Sequence, residues 1–393
     1  MKQKIVVTGL FLFALLSAGW VLRLTANQQT QKTRTTPASP IRVEPAKTSD
    51  ATGKTVAAAN AFLATLDDAS RAKLSFPFES DQKAKWSNLP VGMYKRNGLR
   101  LGDLNGVQRE AEMKLLATAL SKQGLQKVRE IMEGDEVLRT GAGGGNAGPP
   151  GGGSPPGGSP AGGPQGGGPP GGRGGGPNFG RDEYYLAFLG TPSLTEPWMI
   201  QFGGHHLAIN LTIVGKTNVM TPSLPAAQPT IYKLNGETVR PLGRENDKSF
   251  ALINSLDAAQ QKQAILNYLV ADLVLGPGED GKTIQPEGIK VSALNTSQKE
   301  KLLDIVNEWV GILNNEAASA KMAEIKANLA ETWFAWSGPT TNGSGSYFRI
   351  QGPTLLIEYS PQRMRGGNGL DATHIHTIYR DPTNDYGARL VKR

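Results

Sequence analysis

Apolar residues along the first part of the chain recur first at helical and then at strand spacing. Val56, Ala59, Leu63 and Leu66 fall three or four residues apart, which predicts an amphipathic helix. A second helix is predicted to open at Asn105, whose side chain can accept from the amide of Gln108 while the Gln108 side chain reaches back. Its apolar stripe continues through Leu116, Leu120, Leu125 and Val128, with Gly124 as the expected break or cap. Aromatic and β-branched runs follow at residues 184–189, 198–202 and 207–214, each bounded by turn residues. The same order then returns. A helix is predicted from Asn295 and Gln298, with Leu302, Ile305, Trp309 and Leu313 on one face, and strands at 333–336, 347–350 and 354–359. A last strand, 373–379, follows a glycine-rich turn at 366–369.

The parallel extends to residue identities. Leu66-Asp67 returns as Leu256-Asp257, and Gly98-Leu99-Arg100 with Leu104-Asn105 and Gln108 returns as Gly288-Ile289-Lys290 with Leu294-Asn295 and Gln298, at one constant separation. Trp198 to Gly203 matches Tyr347 to Gly352 at a shorter separation, and the shortfall is close to the length of residues 141–177. We read an internal duplication with halves of about 53–240 and 241–393. Two helices and a hairpin bury too little alone, so the expected fold is one α+β domain. Its halves pool their strands into an antiparallel sheet flanked by helices.

Residues 141–177 hold a large share of the 49 glycines and 26 prolines. Such a segment cannot build a core and costs little as a surface loop, so it is expected to be a disordered insertion in the first half. Glycine does not recur there at every third position, which excludes collagen.

The formal charge of +8 is concentrated in residues 1–50, and the remainder is too nearly neutral for a nucleic-acid footprint. The N-terminus carries Lys2 and Lys4, an uncharged and mostly apolar run from Ile5 to Leu22, and then Arg23. Its length falls between a secretory apolar region and a spanning helix. Residues 1–26 are therefore expected to be a signal peptide or N-terminal membrane anchor, with residues 27–52 as a disordered tether. Export to the periplasm, the cell envelope or the medium follows, with membrane contact through the N-terminal segment alone. The chain has no cysteine, which excludes disulfides, a thiol nucleophile, thiolate metal sites and a lipid-modified cysteine.

Chemistry centres on the histidines. All four lie in two tight clusters, Gly203-Gly204-His205-His206 and His374-Ile375-His376. Residues two apart on a strand share a face, about 6.5–7 Å apart along the chain, so His374 and His376 can aim at one ion. Leu207, Ile209, Leu211 and Ile213 read as the core face of their strand, which puts His206 on the other face as third ligand and His205 packed or orienting a ligand, unless Gly203-Gly204 bulges the strand and His205 joins the metal set as well. Imidazole donors suit zinc or copper. Glu358, Asp371 and Asp381 are candidate fourth ligands, orienting acceptors or general bases, and Arg380 is a candidate anion-binding group. If the site is catalytic, hydrolysis of a small-molecule substrate by a metal-activated water is preferred to redox chemistry. The rival reading is a non-catalytic envelope binding or scaffold protein with structural histidines. Aromatic residues near these clusters, among them Tyr184, Trp198, Trp336 and Tyr359, are better explained by sheet packing than by a ligand wall. No nucleophile elbow, P-loop, zinc-protease motif or dinucleotide fingerprint is present.

Several blocks together resemble a bacterial family catalogued as domain of unknown function 3500. They are FLATLDDASRAKLSFPF (62–78), DLNGVQRE (103–110), YYLAFLGTPSLTEPWMIQFGGHHLAINLTIV (184–214), WSGPT (336–340), YFRIQGPTLLIEYS (347–360) and HIHTIYRDPTNDYG (374–387). The resemblance runs from about residue 55 to the C-terminus, interrupted by the Gly/Pro segment. It implies that His205, His206, His374, His376, Arg380 and Asp381 lie in the family's signature blocks, without naming a chemistry.

Overall fold

Six of the described α-helices start on a short polar side chain that accepts from the first turn. In a computed structural model that describes residues 50–141, 178–363 and 370–391, α1 (Asp50–Ala64) and α2 (Asp68–Leu74) come first. They are followed by α3 (Gly106–Ala119) and α4 (Lys122–Thr140). The predicted leader, almost all of the tether, the Gly/Pro segment after Gly141 and the turn at 366–369 lie outside the described residues. Asn105 accepts from the Gln108 amide at 3.0 Å while the Gln108 side chain accepts from the Asn105 amide at 3.0 Å, which closes the capping box. The Gln108 amide group also donates to the Thr65 carbonyl at 3.0 Å, fixing the end of α1 against the start of α3.

The sequence predicted a break at Gly124; the chain breaks three residues earlier. Ser121 caps α4, accepting from the Gly124 amide at 2.9 Å. Gly124 instead permits close approach, since a Cβ there would lie 2.2 Å from the Ile312 carbonyl oxygen.

Helices α5 (Gly243–Ile253), α6 (Ala258–Ala264), α7 (Thr296–Val310) and α8 (Asn315–Ala327) follow in the later part. Asn295 and Gln298 form the matching box at 2.9 Å in both directions, and Gln298 donates to the Ser255 carbonyl at 2.9 Å.

The strands are β1 (Ser75–Phe76), β2 (Leu99–Arg100), β3 (Tyr185–Leu189), β4 (Trp198–Gly203), β5 (Leu207–Val214), β6 (Thr217–Val219) and β7 (Ser223–Pro225). A small separate hairpin, β8 (Tyr232–Leu234) and β9 (Glu237–Val239), precedes β10 (Ile289–Lys290), β11 (Trp333–Ser337), β12 (Tyr347–Gly352), β13 (Leu355–Arg363) and β14 (Leu370–Arg380). One sheet runs β1-β3-β4-β5-β7-β14-β13-β12-β11-β10, with β2 beside β3 and β6 beside β5. Strands from both halves of the sequence therefore join one layer. The sheet is mixed where an antiparallel one was expected, because β1 follows α2 directly and pairs parallel with β3.

Leu207, Ile209, Leu211 and Ile213 pack into the main core with Leu115, Leu116, Val128, Leu302, Ile305 and Trp309 of the helices. The other face of the sheet is covered by two long connections. Trp86 from one, and Leu275 and Ile284 from the other, pack on Ala208, Leu224, Ala226, Leu356 and Ile378. Alternation along β5 thus separates a helix-covered face from a loop-covered one.

The seam between the first and second helical groups is polar at its centre. The buried Lys127 of α4 pairs with Glu245 of α5, and Glu308 of α7 lies 3.9 Å from the same ammonium. Ser121 donates its amide to the Ile312 carbonyl at 2.9 Å, and Leu120 bridges Leu313.

Candidate metal centre

The two histidine clusters meet across a single short strand. Leu207 pairs with Pro225 and Ala227 with Ile375, so Ala226 lies between His206 and His376 in one line across the sheet. The Ala226 amide donates to the His206 carbonyl at 2.8 Å, and Ala227 and Ile375 exchange bonds of 2.9 and 3.0 Å. Residues aligned in this way point to one face. Two strand spacings of about 4.8 Å separate the outer backbones. Because Ala226 is fully buried and presents only a methyl group, the rings lean together over it to a centroid separation of 6.0 Å.

The sequence reading placed His205 and His206 in alternation on a strand; they sit instead in the tight connection between β4 and β5. Gly203 and Gly204 make that connection feasible. A Cβ at Gly203 would lie 2.4 Å from the Leu207 carbonyl oxygen, and one at Gly204 would lie 2.8 Å from the Tyr184 ring. Both imidazoles can therefore approach the same helix. His205 lies tilted against His206 at 3.5 Å between centroids and against Phe179 at 4.9 Å.

Nε2 of His374 lies 3.3 Å from Nε2 of His206 and 3.0 Å from Nε2 of His376. Ligand atoms of all three lie within 4.8 Å of one another, so the group could hold an ion. With zinc–nitrogen distances of about 2.0–2.1 Å, tetrahedral ligands stand about 3.3–3.4 Å apart, and the observed spacings are close to that. A proton on His374 Nε2 can serve only one of its two contacts, whereas an ion engages all three lone pairs. His206 and His376 are buried and His374 is half-buried, so the centre opens on the His374 side.

Electrostatics favour neutral, ligating imidazoles. Burial, followed by the neighbouring His205, pushes His206 down to about 4. Burial and the adjacent rings hold His374 well below its ordinary value, and burial lowers His376 as well. Nδ1 of His206 lies 2.6 Å from Oδ1 of Asp135 and Nδ1 of His205 lies 3.2 Å from the same oxygen. The Tyr184 hydroxyl donates to the other oxygen at 2.8 Å. Burial would raise the Asp135 carboxyl, but its imidazole neighbours and the bonds they donate hold it well below the usual carboxylate range. An ionised carboxylate only accepts, so His206 carries its proton on Nδ1 and turns the Nε2 lone pair toward His374 and His376. This carboxylate–imidazole pairing commonly orients metal ligands. Asp135, His205 and His206 are also close enough to form a second ion-holding group that shares His206.

Both covering connections reach His376. Asn88 brings its side-chain nitrogen 3.1 Å from Nδ1 and 3.4 Å from Nε2, and Asp272 brings a carboxylate oxygen 3.6 Å from Nδ1.

The other predicted site residues are held elsewhere. Glu358 is buried and accepts from the amides of Val274 and Leu275 at 2.7 and 2.9 Å and from the Tyr347 hydroxyl at 3.1 Å. Arg380 donates to Asp280, Asp385 and the carbonyls of Leu275 and Gly276 at 2.7–2.9 Å. Asp381 pairs with Lys321 at 2.6 Å and accepts from Thr383. Asp371 accepts from Thr373. Among the described residues, none of these bonds reaches a histidine. Glu358 and Arg380 fasten the 265–287 connection to the sheet, and Asp381 fastens α8 to the C-terminal segment. Tyr184, Trp198, Trp336 and Tyr359 are buried in the main core, as sheet packing predicts.

Asp135, Asp272 and Asn88 escaped the sequence reading. Asp135 had a legible signal: it lies two turns beyond Val128 on the buried stripe of α4, where Ile131 and Met132 are apolar. Asn88 and Asp272 lie in irregular connections whose course no periodicity reveals.

The chain belongs to the family described as Protein of unknown function (DUF3500), whose sequence model matches residues 48–388. No curated protein and no solved structure matches it.

Proposed function

We propose that this protein is a metal-dependent hydrolase of a small substrate. In this reading His206, His374 and His376 hold one divalent ion, zinc in preference to copper, and Asp135 orients the first of them. The observation that carries the reading is the approach of His206 and His376 to the one Nε2 of His374, at 3.3 and 3.0 Å, where protons cannot satisfy both contacts. An ion held by three neutral imidazoles with an open position lowers the pKa of bound water toward neutrality. The chain's own residues fix the tautomer of His206, keep the ligands uncharged through burial, and leave an approach beside His374.

Export and N-terminal tethering belong to the same proposal, supported by the basic and apolar run of residues 2–23. So does descent by duplication. It is supported by paired features at one separation: the two capping boxes and the bonds from Gln108 to Thr65 and Gln298 to Ser255. The pairings Leu99 with Leu186 and Ile289 with Phe334 follow the same plan.

The test is elemental analysis of tag-free protein, followed by zinc titration of chelator-treated protein. About one zinc per chain, lost in His374→Ala and His376→Ala, supports the proposal. Wild-type protein that binds no zinc or copper, and whose stability falls in the same variants, supports the scaffold reading with structural histidines.

A further inference from the structure

Helix α3 buries a carboxyl that nothing answers. Glu112 is fully buried, and among the described residues neither of its oxygens has a hydrogen-bond partner. Its place in the helix does not demand a polar group. It stands one turn beyond Gln108 of its capping box, and the matching place in α7, one turn beyond Gln298, holds Leu302 of the main core. Leaving a buried acceptor unmatched costs stability. Burial raises this carboxyl to about 8, although the charges of Arg109 and Arg129 act the other way.

Glu112 forms part of the wall of a cleft of about 570 Å³, a size usual for small-molecule sites. Leu101, Met113, Met132 and Phe179 give the cleft its apolar lining. The other charges of the wall are already matched. Arg100 meets Glu183 at 2.7 Å, Arg109 meets Asp182 at 2.7 Å, Arg139 meets Glu136, and Arg181 reaches Glu133 at 3.3 Å. Among the described residues, Glu112 is thus the wall carboxyl left without a donor. A carboxylate with both oxygens free suits a cation that offers two N–H groups side by side, as amidinium and guanidinium heads do. Glu112 is fully covered, so a ligand reaches it by displacing a neighbour. Met113 and Met132 of the same wall are unbranched and adaptable.

We propose that this cleft binds a small organic cation with an amidinium or guanidinium head, which donates to both oxygens of Glu112 while its apolar body packs on Met113, Met132 and Phe179. The site stands apart from the metal centre. Among the described residues no histidine lines the cleft, although Phe179 lies 4.9 Å from His205 between ring centroids.

The experiment titrates benzamidine into the full chain by calorimetry at neutral pH, with wild-type protein, Glu112→Gln and Glu112→Leu. Glutamine keeps the shape without the charge, and leucine is the residue that α7 carries at the matching place. Neither variant buries a charge, so both are expected to fold, which urea unfolding checks. Bonds to a charged group predict at least about tenfold weaker benzamidine binding in both variants. Benzamide, which lacks the positive charge and one forked donor, is expected to bind wild type at least about tenfold more weakly than benzamidine does. Wild-type protein that binds no benzamidine at millimolar concentration overturns the proposal. So does equal affinity in wild type and the two variants, or equal affinity for benzamidine and benzamide.

Discussion

Replacing Asp135 by asparagine probes the centre without removing an ion ligand. In the native arrangement the carboxylate receives Nδ1 of His206 at 2.6 Å, Nδ1 of His205 at 3.2 Å and the Tyr184 hydroxyl at 2.8 Å. Asparagine keeps the shape but turns one acceptor into a donor. If its NH2 group faces the histidines, His206 must accept on Nδ1, and its proton moves to Nε2, where it blocks ligation. If its NH2 group faces Tyr184, the hydroxyl loses its acceptor. Removing an orienting partner of a metal ligand typically weakens binding about 10- to 100-fold, which is about 1.4–2.7 kcal/mol. Asp135 is almost wholly buried, so the metal-free variant should also lose roughly 1–3 kcal/mol of stability through unsatisfied groups. Competition with a chromophoric chelator measures the first effect, and urea unfolding of metal-free protein measures the second. Folded Asp135→Asn protein that binds zinc within about twofold of wild type would refute the claim that this carboxylate sets the tautomer of His206.

Other expectations follow from the same structure. Ala226→Leu fills the space over which the rings of His206 and His376 approach; overpacking costs about 1–3 kcal/mol, and zinc retention should fall although every ligand remains. For metal-free protein, His206 has its pKa lowered to about 4 from 6.5. Between those values the unfolded chain binds a proton that the native one does not, so stability is complete above about pH 6.5. It falls toward pH 4 by roughly 3 kcal/mol from this group, and pH-dependent urea midpoints in wild type and His206→Asn measure the difference. Glu112 behaves oppositely: burial raises it from 4.5 to about 8, and among the described residues neither of its oxygens has a hydrogen-bond partner. Its native form binds the extra proton, so stability drops as pH rises from about 4.5 to 8. Glu112→Gln should remove that slope and gain roughly 2–4 kcal/mol at pH 8, and unchanged midpoints there would contradict it.

The sequence made much of the α+β framework legible, because helix starts and strand runs are local. Asn105 and Gln108 announce their helix within four residues, and the alternation from Leu207 to Ile213 announces both faces of β5. The break at Ser121 was misplaced because glycine usually interrupts helices, whereas Gly124 answers to a distant carbonyl, that of Ile312. The middle strand of the centre was invisible for a different reason. Ser223 to Pro225 is too short to show any period, yet it sets Ala226 between the histidines. Glu358, Arg380 and Asp381 drew attention as charges near the His-x-His strand. Their partners, the amides of Val274 and Leu275, Asp280 and Lys321, come from regions whose placement depends on the finished fold.

Helix α4 carries Lys127 at one point and Asp135 two turns further on. The first grips Glu245 across the seam, and the second grips the turn that bears His206. An ion captured by the histidines would therefore pull on the same rigid rod that joins the early and late parts of the polypeptide. Saturating the ion should tighten the whole molecule by mass action, as any ligand specific to the native state does. Chelation should then appear as a lower melting temperature for the entire body, with no separate loosening confined to one loop.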